Sequence, residues 1–344
     1  MIASYLLLIV GFAGVLGNDQ IWIELMTAQI EDAVKYEVAA SENIPQLATD
    51  LGLTTLVDLV KKANLADTLS GTGPFTVFGP TNDAFGKLPK KFVDFLMKNV
   101  TILADILSYH VASGNVQSKD LSNDMLVPSV QGKNIRINIY KDGKVITASG
   151  RQVVKPDQEA SNGVIHVVDG VLFPPPGTLA YVVEKCPVFS TLLKAVSLIP
   201  SIVDTLNGDG PFTLFAPSDC AFKKIPPKCL AALLKDTKML EKVLLYHVVP
   251  ATGYSAGLSC GDELKTAEGG SVKITKMCGR VWVNHSKVTY ADGTATNGVI
   301  HVIDRVLFPK GSDDICGDVI IDDDNSNNSN DDDDNISVWR NLFN

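Results

Sequence analysis

No cysteine occurs before position 186 of this 344-residue chain, so its first half cannot be held by disulfides and must fold on an apolar core of its own. The six cysteines that follow include no CxxC pair, which removes the usual zinc-ribbon and thioredoxin-type arrangements. Neither an HExxH helix nor a His-x-His cluster is present, and no Arg-Gly-Asp occurs. Without a local set of nucleophile, base and orienting acid, the chain reads as non-enzymatic, with no catalytic residue and no cofactor.

A surplus of positive charge is missing too. The chain carries 30 Lys and Arg against 39 Asp and Glu, a net charge of −9. From Gly311 onward there are ten aspartates and one cation, Arg340, so this tail holds the whole excess and the body up to Lys310 is neutral. A nucleic-acid partner, which needs a basic face, is therefore not expected.

What is present begins with "MIASYLLLIVGFAGVLG", an uncharged apolar run that ends in small residues and reads as a signal peptide over residues 1–17. It is short for a bilayer span, and no apolar run closes the chain. The expected product is secreted to the extracellular space or matrix, with no membrane insertion after signal removal. In such a chain Cys186, Cys220, Cys229, Cys260, Cys278 and Cys316 suggest three disulfides, with 15 pairings open. Sequons at Asn99, Asn284, Asn327 and Asn335 are candidate glycosylation sites.

The body is written twice. "GPFTVFGPTNDAFGKLP" from Gly73 pairs with "GPFTLFAPSDCAFKKIP" from Gly210, and "LSYHV" from Leu107 with "LLYHV" from Leu244. "NGVIHVVDGVLF" from Asn162 returns as "NGVIHVIDRVLF" from Asn297. Each copy is large enough for its own core, which makes this a duplicated domain rather than a short solenoid repeat.

In each copy an amphipathic helix comes first, over 53–69 or 189–206, followed by a short apolar strand, "FTVF" or "FTLF". Thr81 or Ser218 then stands where an N-cap would start a short helix. A longer helix leads into the Tyr-His block, over 94–111 or 232–249, and antiparallel hairpins follow around Lys141-Asp142-Gly143 and Cys278-Gly279. Helices first and hairpins later predict an α+β domain. The expected segments are a helical extension over 18–42, domains over 43–174 and 175–310, and a disordered aspartate-rich tail over 311–344. The proline-rich "FPPPGT" from Phe173 is a short, stiff joint, which predicts two domains in a fairly fixed relation.

Three ordered blocks, each occurring twice between about Asn43 and Pro309, resemble the signature of tandem fasciclin domains. The resemblance implies two twisted β-sheet wedges or sandwiches packed with helices, in secreted or membrane-attached proteins of cell adhesion and matrix. It implies partners of the integrin receptor type, matrix proteins or glycans. It also implies receptor contact at the Tyr-His block, here Tyr109, His110, Tyr246 and His247, although an aromatic beside a histidine in an apolar run also suits a core. The family's second receptor element, an aspartate ahead of the Asn-Gly, corresponds to Asp157 and Asp292. Here "KPDQEASNGV" and "YADGTATNGV" lack the apolar residues that follow that aspartate in the family.

His166 and Asp169, like His301 and Asp304, stand three apart and so face opposite sides of a strand, which argues against a local catalytic pair. An alternative function lies in the tail. Asp322, Asp323, Asp324, Asp331, Asp332, Asp333 and Asp334 could gather calcium or mineral weakly and collectively, without the spaced ligands of a specific metal site.

Overall fold

The structure, a computed structural model, describes residues 42–277 and 279–312. The expected signal peptide, the extension up to residue 41, Cys278, Cys316, Asn327, Asn335 and the tail aspartates lie outside the described residues.

Each copy opens with helices that divide where one was expected. Over 53–69 the chain forms α2 (Thr54–Lys62) and α3 (Ala66–Leu69), after a first helix α1 (Ile44–Asp50). The break falls near Asn64, whose φ of 56° is left-handed, a conformation asparagine tolerates better than most residues. In the second copy α7 (Leu179–Lys185) precedes α8 (Ser190–Ser197) and α9 (Pro200–Asn207). Pro200 starts α9 because it has no N–H with which to prolong α8.

The later stretches divide in the same way, into α5 (Lys90–Lys98) with α6 (Val100–Tyr109), and α11 (Pro227–Lys235) with α12 (Thr237–Tyr246). At the second break the Asp236 carboxylate takes the N–H groups of Lys238 and Met239, both at 3.1 Å. That capping competes with a continuous helix. Between these pairs lie the short α4 (Asn82–Gly86) and α10 (Asp219–Lys223), capped by the Thr81 and Ser218 hydroxyls as expected.

The strands of the first copy are β1 (Phe75–Pro80), β2 (Val111–Ser113), β3 (Met125–Pro128), β4 (Asn134–Tyr140), β5 (Val145–Ala148), β6 (Arg151–Ala160) and β7 (Gly163–Val168). Those of the second are β8 (Phe212–Pro217), β9 (Val248–Val249), β10 (Glu263–Lys265), β11 (Ser271–Met277), β12 (Arg280–Val283), β13 (Ser286–Ala295) and β14 (Gly298–Ile303). The expected hairpins form, with Tyr140 opposite Val145 and Met277 opposite Arg280. The sheet closes in a way that hairpins alone do not foretell. Its order is β2-β1-β7-β6-β5-β4-β3, and β1 runs parallel to β7, with Phe75 beside Gly163 and Val77 beside Ile165. The second copy repeats this with β8 and β14.

The strand that carries the repeated line is thereby central, and all six residues of β7 and of β14 are buried. Ile165 and Val167 meet Leu47, Leu56, Val60 and Leu107 on the helical side. Val168 meets Phe78, Ile135, Ile137 and Leu172 on the hairpin side. The alternation of apolar and polar residues that marks a half-exposed strand is absent for that reason.

The two domains touch. Arg136 on β4, 6% exposed in its side chain, pairs with Asp124 at 3.4 Å and donates to the Thr296 carbonyl of the second domain at 3.1 Å. Asp124 also accepts from the Thr252 hydroxyl at 2.7 Å. The Tyr140 hydroxyl donates to the Thr252 carbonyl and accepts from the Tyr254 N–H, each at 3.1 Å. Tyr254 is fully buried, its ring against Gly150 so closely that any Cβ there would overlap it.

Gly163 meets a similar limit, because a Cβ would fall inside the Phe75 carbonyl of β1. Gly163→Ala is expected to cost about 3 kcal/mol or more, lowering the denaturant midpoint. Gly86→Ala, at a helical position in open space, should keep or raise that midpoint. Arg136→Ala strips Asp124 of its cation and is expected to cost about 2 kcal/mol. Scanning calorimetry should show the two domains then melting further apart in temperature than in the parent.

Candidate functional site

The repeated line places the same polar side chains at the same points of each domain. Asn162 accepts the N–H of Ile44 at 2.9 Å and donates to the carbonyls of Leu69 and Gly71, at 2.8 and 2.7 Å. Asn297 does the same for Leu179, Leu206 and Gly208. Both amides tie the start of the first helix to the end of the third helical segment, and so fix the helices to the sheet.

His166 is fully buried, its ring 5.5 Å from that of Phe78. Its Nδ1 accepts the Asp157 N–H at 3.2 Å, which leaves the proton on Nε2 to be donated to the Val116 carbonyl at 2.8 Å. Burial lowers its pKa, more than the Val116 bond and the nearby Asp157 carboxylate raise it. The Asp157 carboxylate is turned to Ser118, accepting from its N–H at 2.7 Å and from its hydroxyl. His301, Asp292, Ser255 and Gly253 repeat the set. Thr76 and Thr213 complete it from the neighbouring strand, each bridging a loop carbonyl and a loop N–H.

Ser118, Asp157 and His166 are the residue types of a hydrolase triad, but they are wired as a loop anchor. The serine hydroxyl donates to the carboxylate, and both imidazole nitrogens are committed to backbone groups. That leaves no base directed at a nucleophile. Asp169 does not meet His166; it accepts the Gln152 N–H at 2.8 Å, and Asp304 that of Lys287 at 2.8 Å. Each aspartate thus bonds the neighbouring strand, β6 or β13, and His and Asp have separate partners, as the three-residue spacing implied.

The Tyr-His block is core. Tyr109 and His110 are 0% and 1% exposed, Tyr246 and His247 6% and 2%. The Tyr109 hydroxyl donates to the Asn134 carbonyl at 2.8 Å, and Tyr246 to that of Ser271 at 2.7 Å. His110 is the opposite tautomer to His166: Nε2 accepts the Leu172 N–H at 2.9 Å, so Nδ1 donates to the Ile106 carbonyl at 2.8 Å. His247 repeats this with Leu307 and Val243. All four side chains expected at a receptor contact are buried in the folded chain. Of the two aspartates, Asp292 is 7% exposed, whereas the side chain of Asp157 is 35% exposed.

The expectation of three disulfides is corrected. Cys229 is disulfide-bonded, but Cys186, Cys220 and Cys260 are free thiols. Cys186 sits in the helical core, whereas Cys220 and Cys260 are exposed. Burial pushes the Cys186 thiol up to about 11.

At the sequons, Asn99 donates from its amide to the Phe95 carbonyl at 2.7 Å. Asn284 spends its amide nitrogen on the Tyr246 hydroxyl at 3.2 Å and its oxygen on the Lys273 N–H at 2.8 Å. A glycan at Asn284 would displace the first of these bonds.

One motif escaped the sequence reading. Gly257-Leu258-Ser259-Cys260-Gly261 has GxSxG spacing, but it lies in the loop ahead of β10 rather than at a strand-to-helix elbow. The backbone of Ser259 is tied to Asp262 in a local turn. Among the described residues no group of three or more His, Cys, Asp or Glu could hold a metal ion, and no helix is long and apolar enough to cross a membrane.

Residues 51–174 and 187–309 each match the sequence pattern of the fasciclin domain. The chain belongs to the fasciclin family. It is 33% identical over 262 residues to transforming growth factor-beta-induced protein ig-h3 of Sus scrofa, covering 75% of this chain and 38% of that one. It is 32% identical over 268 residues to periostin of Homo sapiens, covering 77% and 32%. The fasciclin pair thus spans about a third of the length of these curated relatives. A solved domain pair from the insect cell adhesion molecule fasciclin I covers 76% of this chain and 98% of its own, at 22% identity and a TM-score of 0.39. At that distance the family assignment rests on the sequence pattern.

Within each fasciclin domain the buried Tyr-His histidine makes stability depend on pH. Burial holds the pKa of His110 and of His247 down at about 4, so the unfolded chain, near 6.5, binds the proton that the folded one refuses. The stabilisation is complete above about pH 6.5 and is lost as pH falls towards 4. Between pH 6.5 and 5, where carboxylates scarcely titrate, each domain is expected to lose about 2 kcal/mol, read as a falling urea midpoint. His110→Gln should start less stable and show a flatter slope for the first domain.

Proposed function

We propose that this chain is a secreted adhesion or matrix protein, binding an integrin-type receptor, a matrix protein or a glycan through the exposed faces of its fasciclin domains. The observation that carries the reading is a difference between the two copies of one anchored loop. In the second domain the loop held by His301 and Asp292 carries Thr252 and Tyr254, and it is a protein contact, docked on the first domain. In the first domain the matching loop, held by His166 and Asp157, carries Asn115 and Gln117. Asn115 there is exposed, and Gln117 donates to Glu159 at 3.1 Å.

This rigid, partly acidic surface of Asn115, Gln117, Asp157 and Glu159 is the face assigned to recognition. A carboxylate offered to a receptor's metal ion would come from Glu159, which is exposed, or from Asp157 on release of Ser118. Two modules held in fixed relation can add weak contacts through effective concentration.

Cell attachment to surfaces coated with the secreted protein tests the reading. Attachment should vanish on chelation of calcium and magnesium. It should fall about tenfold, roughly 1.4 kcal/mol of binding, in Gln117→Arg combined with Glu159→Lys, and should survive truncation after Lys310. Attachment untouched by both treatments would sink it. Calcium binding and attachment that both disappear with the residues beyond Lys310 would move the function to the aspartate tail.

A further inference from the structure

The helical side of the first domain contains an apolar crevice between α1, α2, α3 and α6, floored by Phe75, Val77 and Val111. Its cavity volume is about 80 Å³, and it opens to solvent. The second domain shows why. Pairing the two copies through their Asn162 and Asn297 clamps, Ala48 matches Val183, Val57 matches Leu193 and Ala66 matches Val203. Val77 likewise matches Leu214, and Ser108 matches Leu245.

At each of these five positions the second domain has the larger side chain, and all five belong to its core or pack against it. The exceptions, Pro45 against Ala180, Lys61 against Ser197 and Val130 against Ala267, include Val130, 49% exposed, and the exposed Lys61. At these five positions the second domain brings more side-chain volume to its helical core than the first.

We infer that the crevice is the docking site of the chain's own N-terminal segment, "IWIELMTAQIEDAVKYEVAA" over 21–40. Three observations point to this occupant rather than another. The segment has no counterpart ahead of the second domain, where the matching side chains are larger, so the extra sequence and the smaller side chains occur in the same copy. The chain also enters at the right place: Glu42, whose carbonyl accepts the Ser161 N–H at 2.7 Å, stands two residues before Ile44 and Pro45 of the crevice wall. The chemistry agrees as well. Ile23, Met26, Ile30 and Val34 recur at three- and four-residue spacing, the pattern of one apolar helix face. Glu24, Glu31, Asp32 and Glu37 outnumber Lys35, and the exposed Lys61 stands on the crevice wall. Docking replaces in the first domain the apolar contacts that the second makes internally.

The test uses the full chain, because Lys35 is the one trypsin site between residues 18 and 41. In the parent protein, cleavage after Lys35 should be slow. Ile30→Asp, in the segment, and the pair Ala48→Val with Ala66→Val, which copies the second domain, should each speed it about tenfold. The alanine pair should keep or raise the urea midpoint of the first domain, which separates a displaced segment from an unfolded one. Equal cleavage rates in all three proteins would overturn the inference. Protection of Lys35 that fades on dilution, with a dimer in sedimentation, would assign the crevice to a second copy's segment and would equally overturn it.

Discussion

Burial of the last strand on both faces is the constraint from which the rest of each domain follows. Once β7 lies parallel to β1, with helices over one face and hairpins over the other, none of its side chains reaches water. A polar residue there must be fully partnered, since a buried unpaired donor or acceptor costs about 1–3 kcal/mol. His166 meets the condition by accepting one backbone N–H and donating to one carbonyl. Asn162 meets it just outside the strand by joining three backbone groups of the helical layer. The repeated line is therefore a joint between layers, and its duplication records the duplicated fold.

The same wiring explains what the conspicuous residues do not do. Four of the chain's five histidines sit in two tautomers, each set by which nitrogen faces a backbone N–H. An imidazole so committed is a structural cross-link. The Tyr-His residues that a family resemblance assigns to receptors prove to be of this kind, buried where helix α6 or α12 meets the sheet. A change there would act first on folding.

The two domains are similar in their joints and different in their surfaces. Tyr254 inserts at Gly150 to seal the seam, whereas the matching positions are Gln117 in the first domain and His285 in the second. The contact between domains is thus written into residues that the repeat does not share. The smaller side chains around the first domain's helical crevice are likewise a departure from the repeat.

Much was legible in the chain itself. The repeat, the α+β class, the hairpin turns, the Thr81 and Ser218 caps and the family all follow from local order and spacing, because turns, caps and periodicity are short-range effects. The single long helices were misread, since one asparagine, aspartate or proline outweighs an apolar pattern that runs through it. Only the tertiary structure decided the parallel closure of β1 on β7, the partner of His166, the burial of the Tyr-His block and the free state of three cysteines. Each depends on residues brought together from tens of positions apart, and local pattern carries no record of such a contact.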